Sequence, residues 1–205
     1  MVGPLAVNCY VIACDKTRKA AIIDPGDDED KILSYIKSNN FHVTHILLTH
    51  GHVDHLAAVA EIKKVTQAEI MMSKDDLILV KNAGTQAKLF DLRPADHFTV
   101  DSYVKDDFQF KVGEINFKVI TTPGHSPGGV CYYTENYLFA GDTLFAESIG
   151  RTDLPGGSYE SLLLSIRNKL LILPFNTIVY PGHGPSTTIE KEMKFNPYLT
   201  NCLNG

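Results

Sequence analysis

The chain has 205 residues, 44% of them hydrophobic and 21% charged, with a formal net charge of −5 at pH 7. That length and apolar content can bury a full core, and no linker, low-complexity tract or internal repeat interrupts it, so one compact domain over residues 1–205 is expected. The acidic balance disfavours a nucleic-acid partner, because phosphate binding needs clustered Lys and Arg and the longest basic run is only Lys63-Lys64.

The N-terminus, Met-Val-Gly-Pro-Leu-Ala-Val-Asn-Cys-Tyr, lacks a basic leader and a cleavage site, and no apolar stretch reaches membrane-spanning length. A cytoplasmic protein without membrane contact is expected. Strands are predicted at about 5–13 and 19–24, then a helix near 29–38. Asp24, just before Pro25-Gly26, has two readings: the cap of that helix, or a partner that steadies the following loop through Thr49. Next, His45-Ile46-Leu47-Leu48-Thr49 reads as a buried strand.

Where that strand ends the chain runs Thr49-His50-Gly51-His52-Val53-Asp54-His55. Chance would give H-x-H-x-D-H in roughly one such chain in a thousand. In extended chain, residues two apart point the same way, so His50 and His52 can face one ion. Asp54 and His55 fall where Leu56, Val59 and Ala60 begin to recur at helical spacing, and their side chains aim toward a second ion. Imidazole and carboxylate donors with no thiolate among them suit zinc or iron.

Further strands are predicted between 108 and 140, with Tyr132 and Tyr133 on a strand buried on one face, then a helix from about 158, a last strand at 177–180 and a last helix. Three of these strands, at 117–120, 137–140 and 177–180, lead into glycine-flanked polar residues: His125, Asp142 and His183. Glycine there lets backbone approach an ion closely. Cys9, Cys14, Cys131 and Cys202 are scattered, with no CxxC pair, and are expected to be free thiols in a reducing compartment.

The order H-x-H-x-D-H, His, Asp, His resembles the metallo-β-lactamase superfamily over roughly residues 5 to 200. That resemblance implies an α/β fold, a four-layer αββα sandwich with metals at one edge of two sheets. It implies that His50, His52 and His125 bind one divalent ion and Asp54, His55 and His183 a second, with Asp142 bridging them. Zinc is the first expectation, with iron or manganese as alternatives. Asp142 stands where secreted β-lactamases typically carry cysteine or serine, and the chain has no room for the basic capping segments of the nuclease branches.

Within the superfamily the chain resembles the small bacterial glyoxalase II, or hydroxyacylglutathione hydrolase, on Asn8-Cys9-Tyr10, Ile23-Asp24-Pro25-Gly26, the segment from Gly150 to Gly157, and Asn196-Pro197-Tyr198. The implied activity is thioester hydrolysis by a hydroxide held between the ions, with Asp142 and Asp54 as catalytic residues and a small-molecule thioester as partner. Thiolate is an apt leaving group because thiol pKa values are low. Arg151 could hold a substrate carboxylate, or pair internally with Asp153. Larger glyoxalase II enzymes have lysine at the Arg151 position, tyrosine at the positions of Asp153 and Pro185, and a C-terminal helical domain. The 22 residues after His183 leave no room for that domain, so coenzyme A or another thiol could replace glutathione.

The Gly150-Arg151-Thr152-Asp153 segment also resembles the persulfide dioxygenases, which would use a single iron on His50, His125 and Asp142. A third alternative is a metal-stabilised module without turnover.

Overall fold

The computed structural model describes residues 1–200; Cys202 lies outside them. Its first half holds β1 (Tyr10–Ala13), β2 (Lys19–Ile23), α1 (Glu29–Ser38), β3 (His42–Leu47), α2 (Val59–Thr66), β4 (Glu69–Ser73), α3 (Leu77–Lys81), α4 (Ala83–Phe90) and β5 (Ser102–Val104). The second half begins with β6 (Gln109–Val112), β7 (Ile115–Thr121), β8 (Val130–Thr134), β9 (Tyr137–Gly141), β10 (Leu144–Phe145) and β11 (Ser148–Ile149). It closes with α5 (Tyr159–Ser165), β12 (Ile178–Pro181), β13 (Thr187–Thr188), α6 (Ile189–Phe195) and α7 (Pro197–Thr200).

Strand alternation explains the layers. In the sheet β1-β2-β3-β4-β5, Ala21, Ile23, Leu47 and Met71 point one way, onto Phe117, Val119, Val130, Tyr132 and Phe139 of the other sheet. Their neighbours Ile22, Ile46, Ile70 and Met72 point the other way, onto Ile32 and Ile36 of α1 and Val59 and Ile62 of α2. The second sheet, β13-β12-β9-β8-β7-β6, repeats the device: Cys131, Leu138, Ala140 and Val179 face Leu162 of α5, Ile189 of α6, and Ile166 and Leu170 of the π-helical turn that continues α5. Three apolar seams thus separate helices, sheet, sheet and helices, the αββα order, and each fully buried large side chain contributes about 1.5–3 kcal/mol. Among the described residues no helix is long and apolar enough to cross a membrane. Cys9, Cys14 and Cys131 are unpaired.

The expected helix at 29–38 and strand at 19–24 match α1 and β2 closely. Three expectations need correction. Residues 5–9 are not strand: Val2 and Val7 form an isolated bridge around a turn with Ala6 at φ 53°, and β1 starts only at Tyr10. The motif strand ends at Leu47, not Thr49, because the next carbonyls are captured by the opposite sheet. Tyr132 donates to Leu48 O at 3.0 Å and Val130 N to Thr49 O at 2.8 Å, so the motif loop crosses from one sheet to the other. The α-helix expected from Asp54 begins at Val59, after a 3-10 turn over Val53–His55. The backbone N–H groups of Ala57 and Ala58 are drawn to Gly26 O and Pro25 O, which holds that turn off the helix path.

Tyr132 is fully buried between the sheets, so Tyr132→Phe should leave the Leu48 carbonyl short of its donor. The expected loss is about 1–2 kcal/mol of unfolding free energy by urea titration; an unchanged midpoint would show that this bond does not tie the sheets.

Candidate metal centre

Seven side chains meet at one edge of the sandwich, each just past the end of a strand: His50, His52, Asp54 and His55 after β3, His125 after β7, Asp142 after β9, and His183 after β12. The glycines beside them permit the approach. A Cβ on Gly182 would collide with Asp142 Oδ1 and His55 Cε1, and Gly141, at φ 49°, lies against the Thr49 side chain.

Two trios of donors form, His50 with His52 and His125, and Asp54 with His55 and His183, each within 4.8 Å across its ligand atoms. His52 Nδ1 lies 2.9 Å from His125 Nε2, and Asp54 Oδ2 lies 3.3 Å from His183 Nε2 and 3.6 Å from His55 Nε2. The Asp142 carboxylate sits between the trios: Oδ1 is 3.7 Å from His55 Nε2, and Oδ2 is 3.7 Å from both His125 Nε2 and His183 Nε2. Donors bound tetrahedrally at zinc distances stand about 3.3–3.4 Å apart. His50 Nε2, His55 Nε2 and Asp142 Oδ1 are buried and have no hydrogen-bond partner within the protein. Unpartnered buried polar atoms at this spacing fit a pair of divalent ions.

The other ring nitrogens are engaged, and their acceptors set the tautomers. His55 Nδ1 donates to Asp24 Oδ2 at 3.0 Å, His125 Nδ1 to Arg151 O at 2.8 Å, and His183 Nδ1 to Leu5 O at 3.0 Å. The Thr49 hydroxyl donates to Asp24 Oδ2 at 2.6 Å and is therefore the acceptor for His50 Nδ1 at 3.0 Å. Thr49 N completes the set by donating to Asp24 Oδ1 at 2.8 Å. Asp24, His50 and His55 also cluster closely enough to suggest a third metal set, but both Asp24 oxygens are already committed to these donors. Asp24 therefore orients ligands, while the cap of α1 is Asp28.

The trios differ electrostatically. Burial, reinforced by neighbouring histidines, pushes His50 far down and His52 down to about 3, which leaves both rings neutral with free lone pairs. Burial opposes charge on His55 too, but Asp54, Asp24 and Asp142 outweigh it and carry its pKa up to about 10. His183 is likewise raised against its burial, by Asp54 and Asp142, and Asp54 is held below the usual carboxylate range despite burial by His55 and His183. In the metal-free protein, ring protons on the second trio stand where cation charge belongs.

Several residues that position the site escaped the sequence reading. Asp76, fully buried, accepts from Gly51 N and Ser126 Oγ on one oxygen, at 2.8 and 2.7 Å, and from Gly128 N on the other, at 2.5 Å. It ties the His50–His52 loop to the His125 loop, yet nothing in Ser73-Lys74-Asp75-Asp76 separates it from its neighbour Asp75. Gln86 of α4 accepts from Val53 N at 3.1 Å. Asn8 and Tyr10, noted only as a motif, donate to Pro181 O, and Asn8 also to Gly184 O, so they clamp the His183 loop. Asn196 reaches Ser148 O at 3.0 Å.

Above the ligands opens a cavity of about 510 Å3 with Arg151 on its border. Of the two readings for Arg151, the internal pair is formed: Nε and Nη2 each lie 2.8 Å from a carboxylate oxygen of Asp153. The pair is exposed, where ion pairs are weak and solvent-screened, so a substrate carboxylate could compete for the guanidinium.

A layered αββα fold with paired His/Asp clusters at the strand ends defines a class of metal-binding proteins, and a sequence profile of that class fits: the chain belongs to the Metallo-beta-lactamase superfamily, matched over residues 2–183. Among its relatives, the hydroxyacylglutathione hydrolase GloC of Haemophilus influenzae is 38% identical, over 95% of this chain and 93% of that one. The BLEG-1 B3 metallo-beta-lactamase superposes with a TM-score of 0.88 at 38% identity, covering 97% of both chains. TTHA1623 in a di-iron-bound form gives 0.88 at 36% identity, covering 97% of this chain and 98% of that one. The first two names denote different chemistries at the same identity.

Asp24→Asn keeps the size and tolerates the φ of 48° but turns an amide NH2 toward donors. Metal affinity should fall roughly 10- to 100-fold by competition with a chromophoric chelator; full affinity would remove Asp24 from the site's support. Because a metal must displace ring protons from the second trio, uptake should release protons, and apparent affinity should fall as pH is lowered from 9 to about 6. Calorimetry in buffers of different ionisation enthalpy reads that release, and its absence would show that the second trio takes no metal.

Proposed function

We propose that the chain is a single metallo-hydrolase domain that cleaves thioesters such as S-lactoylglutathione. The observation that carries this reading is the Asp142 carboxylate seated between two trios of inward-facing donors. His50, His52 and His125 would hold one divalent ion and Asp54, His55 and His183 the other, with Asp142 shared; zinc is the first choice, iron or manganese the alternatives. Bound there, the ions would supply a low-pKa water and a Lewis acid for the carbonyl oxygen.

The protein's own part is orientation and proton handling. Asp54 would accept a hydrogen bond from the attacking water and fix its direction, while Asp24, Thr49 and the Arg151 carbonyl keep the imidazoles aimed. The water oxygen bonds to the acyl carbon, the C–S bond breaks, and its electron pair leaves with sulfur, so one water gives one carboxylic acid and one thiol. Thiolate needs little protonation to depart, so this step does not depend on a general acid above the ligands. Arg151 would meet a carboxylate on the outer end of the substrate. The unpaired Cys9, Cys14 and Cys131 suit a reducing, cytoplasmic setting, where low-molecular-weight thiols abound.

A second reading, an iron-dependent persulfide dioxygenase using His50, His125 and Asp142, draws support from the Gly150–Asp153 segment, whose Arg151 carbonyl bears directly on His125. Metal-loaded protein should release thiol from S-lactoylglutathione and lose that activity on chelation. No release, together with oxygen uptake on glutathione persulfide by the iron-loaded protein, would establish the second reading instead. Asp142→Ala should lower metal occupancy and cut turnover at least a thousandfold, on the order expected for loss of a shared ligand; a variant with full activity would sink the shared-carboxylate mechanism.

A further inference from the structure

The cavity over the ligands is built to receive an apolar group. Its walls are largely apolar, with Leu5, Phe90, Leu92, Phe145, Ile149 and Leu154 interrupted by Gln86 and Ser148, and among the described residues Arg151 is the single Lys or Arg side chain on its border, already paired in bidentate fashion with Asp153. The carboxylates at the base, Asp54 and Asp142, face the histidines. A second anionic arm of a substrate would find no Lys or Arg there besides Arg151, and the Gln86 amide is already committed to Val53 N and Leu79 O.

One wall is held by the site itself. Gln86 and Phe90 lie one turn apart on α4 and share a face. Gln86 accepts from Val53 N at 3.1 Å and donates to Leu79 O at 2.9 Å, which fixes α4 to the turn that carries Asp54 and His55. Asp91 then takes φ 53°, Leu92 N bonds back to Ala87 O at 2.8 Å, and that reversal returns Leu92 to the cavity wall. Phe90 remains 38% exposed at the mouth, which leaves part of its ring open to solvent.

Biological thiol carriers bear amides, carboxylates or phosphates, and such arms are solvated best at the rim near Arg151. The acyl half of the substrate therefore meets the walls. Resting on the hydrolase reading above, we propose that Phe90 and Leu92 determine specificity for thioesters with an apolar, medium-length acyl chain, in preference to a short hydroxyacyl group.

The test uses the full metal-loaded chain with acetyl, butanoyl and hexanoyl thioesters of N-acetylcysteamine, alongside S-lactoylglutathione. kcat/KM should climb roughly two- to fourfold per added methylene, the factor for burying a CH2 group, and hexanoyl should exceed S-lactoylglutathione. Phe90→Ala and Leu92→Ala should each flatten that slope, with metal content equal to the parent's as the check on folding. A flat or falling series, a slope untouched in both variants, or hydrolysis confined to S-lactoylglutathione overturns the acyl assignment while leaving the hydrolase reading intact. No hydrolysis of any thioester overturns both.

Discussion

Burying a carboxylate in a protein interior costs several kcal/mol unless donors surround it, and Asp24 is surrounded by three that all belong to the metal-binding motif. Thr49 N and Thr49 Oγ set where the loop leaves β3, and His55 Nδ1 sets where it turns. Between these anchors His50 and His52 have little freedom, and His50 is fixed at one remove through the Thr49 hydroxyl. A single side chain at the end of β2 thus orients one imidazole in each trio. The arrangement also explains the left-handed backbone at Asp24: a β-branched or bulky residue would be strained there, whereas aspartate tolerates the conformation and supplies the acceptor.

The sandwich gives those anchors their rigidity. The motif loop crosses from one sheet to the other, and Tyr132 and Val130 take its carbonyls on the far side. Asp76 does the same between the His50–His52 loop and the His125 loop, using one oxygen for two donors and the other for a third. Ligand spacing is therefore set by contacts between sheets, with the inner apolar seam fixing the distance those contacts span.

Much of the site was legible in the sequence because its donors stand next to glycines at the ends of apolar runs, a local pattern. The fold class followed from the same motifs together with the order of strands and helices. What was hidden is non-local. Nothing near Asp76 or Gln86 announces a role, and Asn8 stood out only as part of a motif with no role attached, since each acts on backbone groups distant in the chain: 25 residues for Asp76 to Gly51, 33 for Gln86 to Val53, 173 for Asn8 to Pro181. β4 and β5 and the helices α3 and α4 went unpredicted because their short apolar runs fit strand and helix equally well. The strand expected at about 5–13 held only from Tyr10 onward, because the turn around Ala6 depends on a pairing between Val2 and Val7, which periodicity does not register.

His183 is held by both ends of the chain. It follows β12, which pairs in parallel with β9, and its Nδ1 is tied to Leu5 O while Asn8 and Tyr10 grip the residues around it. Contacts over more than 170 residues close the longest loops that hold the site, and their loop-closure entropy makes them the costliest of its contacts to form. Within the first trio the donors are 73 residues apart from His52 to His125, whereas the second trio needs β12 docked on β9 and the N-terminal turn closed over His183. The two halves of the site therefore differ in how much of the chain must be in place to hold them: loosening the N-terminal turn would free His183 from Leu5 while leaving the contacts of the first trio intact.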